Sequence, residues 1–265
     1  MLYLCTMKCV IIGLGWLGLP LAKRLVSAGF TVAGTTRQRT ISSDAITHFT
    51  YVPTGGVSKE LAHALAEADT VVLAYPPNRT TVDNYATDCQ QIVARIGSTT
   101  KVLLISSTGV YPDHEGSVSE SFTDAFPENS NALLLAERIL QKTLNDRLTI
   151  IRMAGLIGEN RYPVRFMAAS GKTYIGNEWV NVVHQEDAIN CCLFVITKQL
   201  WGQTINCCST EHPDKKSYYE WMAKQIQCEK PTFEMAEKSG KKVSNQQSID
   251  LGFVYSYPSP FDFPI

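Results

Sequence analysis

The sequence predicts an α/β fold built on a doubly wound parallel sheet, and three observations carry that prediction. An apolar run of strand length over 9–12 (CVII) breaks at Gly13, Gly15 and Gly18, in the spacing G-x-G-x-x-G. Leu17, Leu21, Ala22, Leu25 and Val26 then recur at helical spacing until Gly29, where a helix would stop. Similar apolar runs return at 70–74 (TVVLA), 101–105 (KVLLI) and 148–153 (LTIIRM), with helical stretches between them, as parallel strands joined by crossover helices require.

Strand, glycine turn and helix come in the order a Rossmann-like dinucleotide site needs. Gly13 permits the sharp turn, Gly15 lets the backbone approach a pyrophosphate, and Gly18 lets the helix pack on the strand. The helix N-terminus offers N–H groups and partial positive charge to the phosphates. Gly13, Gly15, Trp16, Leu17 and Gly18 are therefore the first cofactor-binding candidates.

Composition narrows the remaining classes. A chain of 265 residues, 45% hydrophobic, can bury a full core. Lys plus Arg number 24 against 25 Asp plus Glu, a formal charge of -1, which favours neither nucleic acid nor an anionic membrane as partner. No apolar run approaches the roughly 20 residues of a membrane span. The leader MLYLCT lacks the basic region of a signal peptide, and Met7 would begin the first strand in the usual place. Eight cysteines, with adjacent pairs at Cys191-Cys192 and Cys207-Cys208 and no C-x-x-C, lack metal-ligand spacing. They read as buried thiols of a reduced, cytoplasmic protein, and no metal site is expected.

The second strand, over 30–35, leads to Thr36 and Arg37. An NAD site of this architecture places an acidic residue about 20 positions beyond the glycines for the ribose hydroxyls, whereas Arg37 would attract a 2′-phosphate. The expected cofactor is NADP, with NAD as the alternative. A short strand over 49–52 and a helix over 57–68 follow. The strand at 70–74 stops at Tyr75, Pro76 and Pro77, so Ala74, Tyr75 and Pro76 lie at the carboxyl edge of the sheet, where ligands of open α/β sheets bind. Tyr85, Cys89, Ile92, Val93 and Ile96 mark a helix face. The strand at 101–105 delivers Ser106, Ser107 and Thr108 to the same edge. The stretch 109–131 reads as a long acidic loop. Then come a helix over 132–144, a strand over 148–153, a helix from Pro163 to 169, a helix over 187–196, a strand over 204–208 and a helix over 217–226. No repeat or linker divides the chain. It reads as one domain, 1–265, with substrate-side insertions at 155–180 and 210–265 forming a small C-terminal subdomain.

Four segments in order, VIIGLGWLG at 10–18, ISSTGVYPD at 105–113, IIRMAGLIGENR at 150–161 and VNVVHQEDA at 180–188, resemble the extended short-chain dehydrogenases/reductases. With LGFVYSYPSP at 251–260 they span nearly the whole chain, which looks like the small bacterial epimerase-like proteins of the atypical group. The resemblance implies a nicotinamide cofactor, a small-molecule substrate and an oxidoreductase or epimerase reaction, and leaves a homodimer open. It implies that Ser107 is the catalytic hydroxyl that hydrogen-bonds the reacting carbonyl or hydroxyl, with Ser106 beside the cofactor. It implies a substrate side formed by Thr108, Asn181 and His184, and Arg161 stands where it could bind an anionic substrate. His184 is balanced between function and structure, and Asp187 between helix N-cap and ligand. His48, His63, His114 and His212 read as solvated.

The sequence departs from the family at its proton-transfer pair. The family uses a Tyr-x-x-x-Lys helix, and no tyrosine of this chain has lysine four residues on. Counting back from Glu137, which matches the family's helix glutamate, puts Asn129 at the Tyr position and Leu133 at the Lys position. Asparagine cannot act as a general base, and a free tyrosine with pKa near 10 is ionised to roughly one part in a thousand at neutral pH. Ile12 and Pro112 stand where glycines are usual. Two readings follow: an NADP-dependent enzyme with a substitute proton donor, or a catalytically silent NADP-binding sensor.

Overall fold

The computed structural model describes residues 6–37, 45–53, 55–77, 84–127 and 131–265. In chain order the first elements are β1 (Lys8–Ile12), α1 (Gly18–Ser27), β2 (Thr31–Thr36), β3 (Ile46–Thr50), α2 (Lys59–Ala66), β4 (Thr70–Leu73), α3 (Tyr85–Val93), β5 (Lys101–Ser107), β6 (Gly116–Val118) and α4 (Ala132–Leu144). They continue through β7 (Leu148–Met153), β8 (Gly155–Ile157), α5 (Pro163–Ala169), β9 (Thr173–Ile175), β10 (Val182–His184), α6 (Gln185–Thr197) and β11 (Thr204–Cys207). The last are α7 (Lys215–Gln225), β12 (Thr232–Glu234), β13 (Lys241–Val243) and α8 (Gln246–Asp250).

Seven strands form the main sheet in the order β11-β7-β5-β4-β1-β2-β3. β1 pairs in parallel with β2 on one side and β4 on the other, with Ile12 opposite Leu73. The chain therefore runs outward through β2 and β3 and restarts at β4 across β1. This reversal opens a crevice at the carboxyl ends of β1 and β4. The apolar continuity of β1 and β4 follows from burial on both faces: Val10, Ile12, Val71 and Leu73 all reach one core with Leu61, Leu65, Ile92 and Leu140. Each fully buried Leu or Ile there contributes about 1.5–3 kcal/mol. Ser58 and Asn131 cap α2 and α4 by accepting from Leu61 N (3.2 Å) and Leu134 N (2.9 Å).

Two compact units divide the chain: Met1–Ser107 with Phe126–Ile151 and Cys192–Thr204, and Thr108–Ala125 with Arg152–Cys191 and Ile205–Ile265. The expected insertions at 155–180 and 210–265 fall in the second unit. Its core gathers Val164, Met167, Tyr218, Met222 and Phe263, and three two-stranded parallel pairs, β8 with β10, β9 with β12 and β6 with β13, tie distant segments together. Among the described residues no helix is long and apolar enough to cross a membrane.

Three expectations need correction. The third strand runs over Ile46–Thr50, set by its register against β2. β5 extends to Ser107, so Ser106 and Ser107 are strand residues. The stretch 109–131 is not a structureless loop, since it carries β6 and a 3₁₀ turn over Glu120–Ala125. Three-residue strands are too short to display alternation, and their partner, β13, lies more than 120 residues away.

Candidate functional site

The glycine turn is assembled by backbone contacts that admit no side chain. Gly13 has φ +105°, and a Cβ there would stand 2.8 Å from the Ala74 carbonyl oxygen. A Cβ on Gly18 would stand 2.0 Å from the Gly13 carbonyl oxygen. Thr35, fully buried at the end of β2, holds the turn in place: its Oγ1 accepts from Gly13 N at 3.0 Å and its carbonyl from Leu14 N at 2.7 Å. Gly15 differs. A Cβ on it would meet nothing within 4 Å, so the turn presents bare backbone to open space. The first turn of α1 has no side-chain cap and no acidic residue, which leaves its positive end uncompensated by the chain's own carboxylates.

This turn borders a cavity of about 330 Å³ in the first unit. Gly13, Gly15, Thr36 and Arg37 line it, together with Ala74, Tyr75 and Pro76. Arg37 is exposed at its rim, beyond β2. Tyr51 and Pro53 also line it and were not expected from the sequence. Tyr75 is fixed by edge contacts to Tyr51 (6.4 Å) and Tyr85 (5.4 Å), and the Tyr85 hydroxyl donates to the Tyr75 carbonyl at 3.1 Å. Burial pushes the Tyr75 phenol well above its ordinary pKa, so it is a wall rather than a proton donor. The cavity suits a dinucleotide: bare backbone at the turn, a helix N-terminus behind it and a cation at the β2 end.

Trp16, Leu17 and Gly18 do not line this cavity. Leu17 and Gly18 are buried at the start of α1. Ser106 is only 4% exposed, and its hydroxyl donates to Glu137 Oε1 at 2.5 Å, because a buried hydroxyl needs a partner. Ser107, at the end of β5, is half-buried. Asn129 lies outside the described residues. Leu133 packs against the apolar core of the first unit.

The second unit holds a larger cavity of about 710 Å³, with a strongly polar wall. Thr108 and Asn181 line it as expected; Arg161 and His184 do not. Arg161 is exposed, bridged to Gly158 across a tight turn. His184 is 9% exposed and packs on Tyr257 (4.7 Å) and Phe263 (5.3 Å). Its Nδ1 accepts from Glu186 N at 3.2 Å, and burial holds its pKa below the ordinary histidine value. Asp187 accepts from Ser256 N (2.7 Å) and Tyr257 N (3.0 Å), so it pins the C-terminal segment. Of the histidines expected to be solvated, His63 and His114 are exposed, the first pairing with Glu67 and the second packing on Phe122 in the cavity wall. The expectation fails at His212, half-buried against the Val180 carbonyl, and at His48, whose Nε2 is buried. Lys215, Lys238 and Lys241 line the wall, and nothing local in the sequence announced them.

Tyr111 is the tyrosine nearest Ser107 in sequence. Its hydroxyl donates to Asn206 Oδ1 at 2.6 Å and accepts from Arg152 Nη1 at 3.1 Å. Arg152 also donates to the Glu120 carbonyl (2.8 Å) and Thr123 Oγ1 (3.0 Å), and Glu120 Oε1 accepts from Asn206 N (2.7 Å). Desolvation raises the Tyr111 and Glu120 pKa values against the opposing effect of Arg152. This buried network holds Tyr111 as a structural hydroxyl.

A family model described as NAD(P)H-binding matches residues 13–180, from the first glycine of the turn onward. Protein YeeZ of Escherichia coli K12 is 33% identical over 276 aligned positions, which cover 97% of this chain and 99% of YeeZ. The chain belongs to the NAD(P)H-binding family. Solved structures of epimerase type share its fold. Its fold is that of UDP-glucuronic acid 4-epimerase from Bacillus cereus, solved with NAD (TM-score 0.75, 17% identity, 97% and 95% of the two chains covered). The same holds for a Methylobacillus flagellatus protein provisionally assigned as an NAD-dependent epimerase/dehydratase (TM-score 0.77, 22% identity, 96% and 94% covered). A nicotinamide cofactor is thus the ligand class of this protein, and Gly13, Gly15, Thr36 and Arg37 line the cavity beside the glycine turn.

Gly15 and Gly18 separate binding from folding. Gly15→Val is expected to abolish NADPH binding in a fluorescence titration while leaving the urea midpoint unchanged, because its side chain fills only the ligand's space. Gly18→Ala is expected to cost about 1–3 kcal/mol or more of stability, since its methyl meets backbone. Undiminished NADPH affinity in Gly15→Val contradicts this assignment.

Proposed function

We propose that the protein is a cytoplasmic, NADP-preferring oxidoreductase or epimerase acting on a small hydroxyl or carbonyl compound. The observation that carries the reading is the pairing of an open Gly15 backbone with an exposed Arg37 on one cavity, without a carboxylate at Thr36 or Arg37 to meet the ribose. Bound nicotinamide supplies hydride transfer. The chain's own contribution begins with the Gly13–Gly18 turn, which receives the pyrophosphate, and with Arg37, which pairs with the 2′-phosphate. Ser107 then hydrogen-bonds the reacting oxygen, stabilising charge that develops there in the transition state. Buried cysteines support a reducing compartment: Cys9 and Cys208 have thiol pKa values pushed up to about 12 by burial.

A second reading, a silent NADP-binding sensor, is favoured by two observations. Leu133 packs in the core where the family carries lysine, and the Tyr111 hydroxyl is committed to Asn206 and Arg152. Screening sugars and hydroxy acids for NADP-linked turnover separates the two readings.

Arg37 should set cofactor choice. A charge-assisted contact contributes about 1.5–3 kcal/mol, so NADPH is expected to bind on the order of tenfold or more tightly than NADH. Arg37→Ala is expected to bring the two affinities together, and equal affinities in the unmodified protein contradict the NADP assignment. On any substrate the protein turns over, Ser107→Ala is expected to lower kcat about a hundredfold or more with NADPH affinity unchanged. Turnover within about twofold of the unmodified protein would remove Ser107 from the chemistry.

A further inference from the structure

In the wall of the 710 Å³ cavity, the Glu115 carboxylate is held by two consecutive backbone donors. Ser239 N donates to Oε1 at 3.1 Å and Gly240 N to Oε2 at 2.9 Å. Gly240 has φ +71°, and successive N–H groups around such a residue can converge on one anion. The donors are fixed from behind. Trp179 N donates to the Ser239 carbonyl (2.9 Å), and Gly116 N to the Gly240 carbonyl (3.2 Å). The Asn177 side chain clamps Ala236 through both its carbonyl and its N–H, each at 2.9 Å. The acceptor is not fixed in this way: Glu115 is an exposed residue just before β6.

The charges around this pair are mixed. Lys238 and Lys241 flank it on the wall, and Lys215 is paired with Glu178. The Lys241 ammonium donates to the carbonyls of Tyr111 (2.6 Å) and Pro112 (3.3 Å), with Asp113 also on the wall. The two N–H groups take one oxygen each of the carboxylate that Glu115 presents.

We propose that the Ser239–Gly240 backbone pair is a subsite for a carboxylate on the substrate, and that Glu115 occupies it until the substrate enters and displaces it. The inference rests on the proposed action on a small hydroxyl or carbonyl compound, and it adds that the compound is an acid. Glu115 is tethered beside the donors, so it competes at an effective concentration in the millimolar range. Removing it should therefore unmask the site.

The test is an NMR titration of the unmodified protein, Glu115→Ala and Glu115→Gln, following the Ser239 and Gly240 amide resonances without nucleotide. The probes are D-glucuronate, its neutral counterpart D-glucose, and inorganic phosphate. Glucuronate is expected to move both amides in Glu115→Ala, with half-saturation on the order of tenfold lower than in the unmodified protein. Glu115→Gln, which keeps one acceptor oxygen, should fall between. Glucose should move neither amide, and phosphate should bind more weakly than glucuronate. The proposal is overturned if glucuronate moves neither amide in both variants, if glucose acts as glucuronate does, if phosphate binds more tightly, or if Glu115→Ala gains no affinity. Because nucleotide is absent, failure here leaves the NADPH-to-NADH ratio untouched, and failure of that ratio leaves this titration readable.

Discussion

The close approach of backbone to backbone inside the glycine turn is the constraint on which the first unit depends. Gly18 lies so near the Gly13 carbonyl that no Cβ fits, and Gly13 lies against Ala74 in the same way. These contacts bring the start of α1 onto the carboxyl ends of β1 and β4, at the point where the sheet order reverses. Thr35 completes the arrangement from β2 by accepting from Gly13 and Leu14. Once the backbone is so placed, Gly15 necessarily faces open space. A helix N-terminus without a carboxylate of its own then stands behind it.

The second unit is organised by polar contacts of long sequence separation rather than by one apolar strand set. Arg152 reaches Tyr111, Glu120 and Thr123, while Asn206 joins Tyr111 to Ser244. Asn181 accepts from Val243 N (2.7 Å) and donates to the Lys241 carbonyl (2.9 Å), fixing β13 from the side. Breaking one member would leave buried partners unsatisfied, at about 1–3 kcal/mol each. The unit thus keeps a polar-walled cavity while the Tyr111 hydroxyl is held by Asn206 and Arg152.

The sequence was legible where a signal is local and periodic. β1, α1, α4, β7 and α5 were read nearly to the residue, because buried strands are continuously apolar and helices repeat every three to four positions. The cofactor turn was legible for the same reason, and so was Arg37. Thr35, Tyr51 and Pro53 were not, since their place at the turn or its cavity depends on pairing across β2 and β3. The polar cavity was the least legible part. Ser239 and Gly240 meet Glu115, and Lys241 meets Tyr111, across more than 120 residues, and strands of three residues leave no pattern to read. The Ser106 hydroxyl meets Glu137 of α4, a contact across 31 residues that no local pattern announces.

In the proposed binding mode a nicotinamide dinucleotide lies on the glycine turn at the sheet's reversal point, with its adenosine end toward Arg37. Amide hydrogen exchange with and without saturating NADPH tests it most directly. Protection is expected at residues 12–18, 35–37 and 74–76, the segments that line the cavity and its turn. Protection elsewhere with none at these three segments would contradict the account.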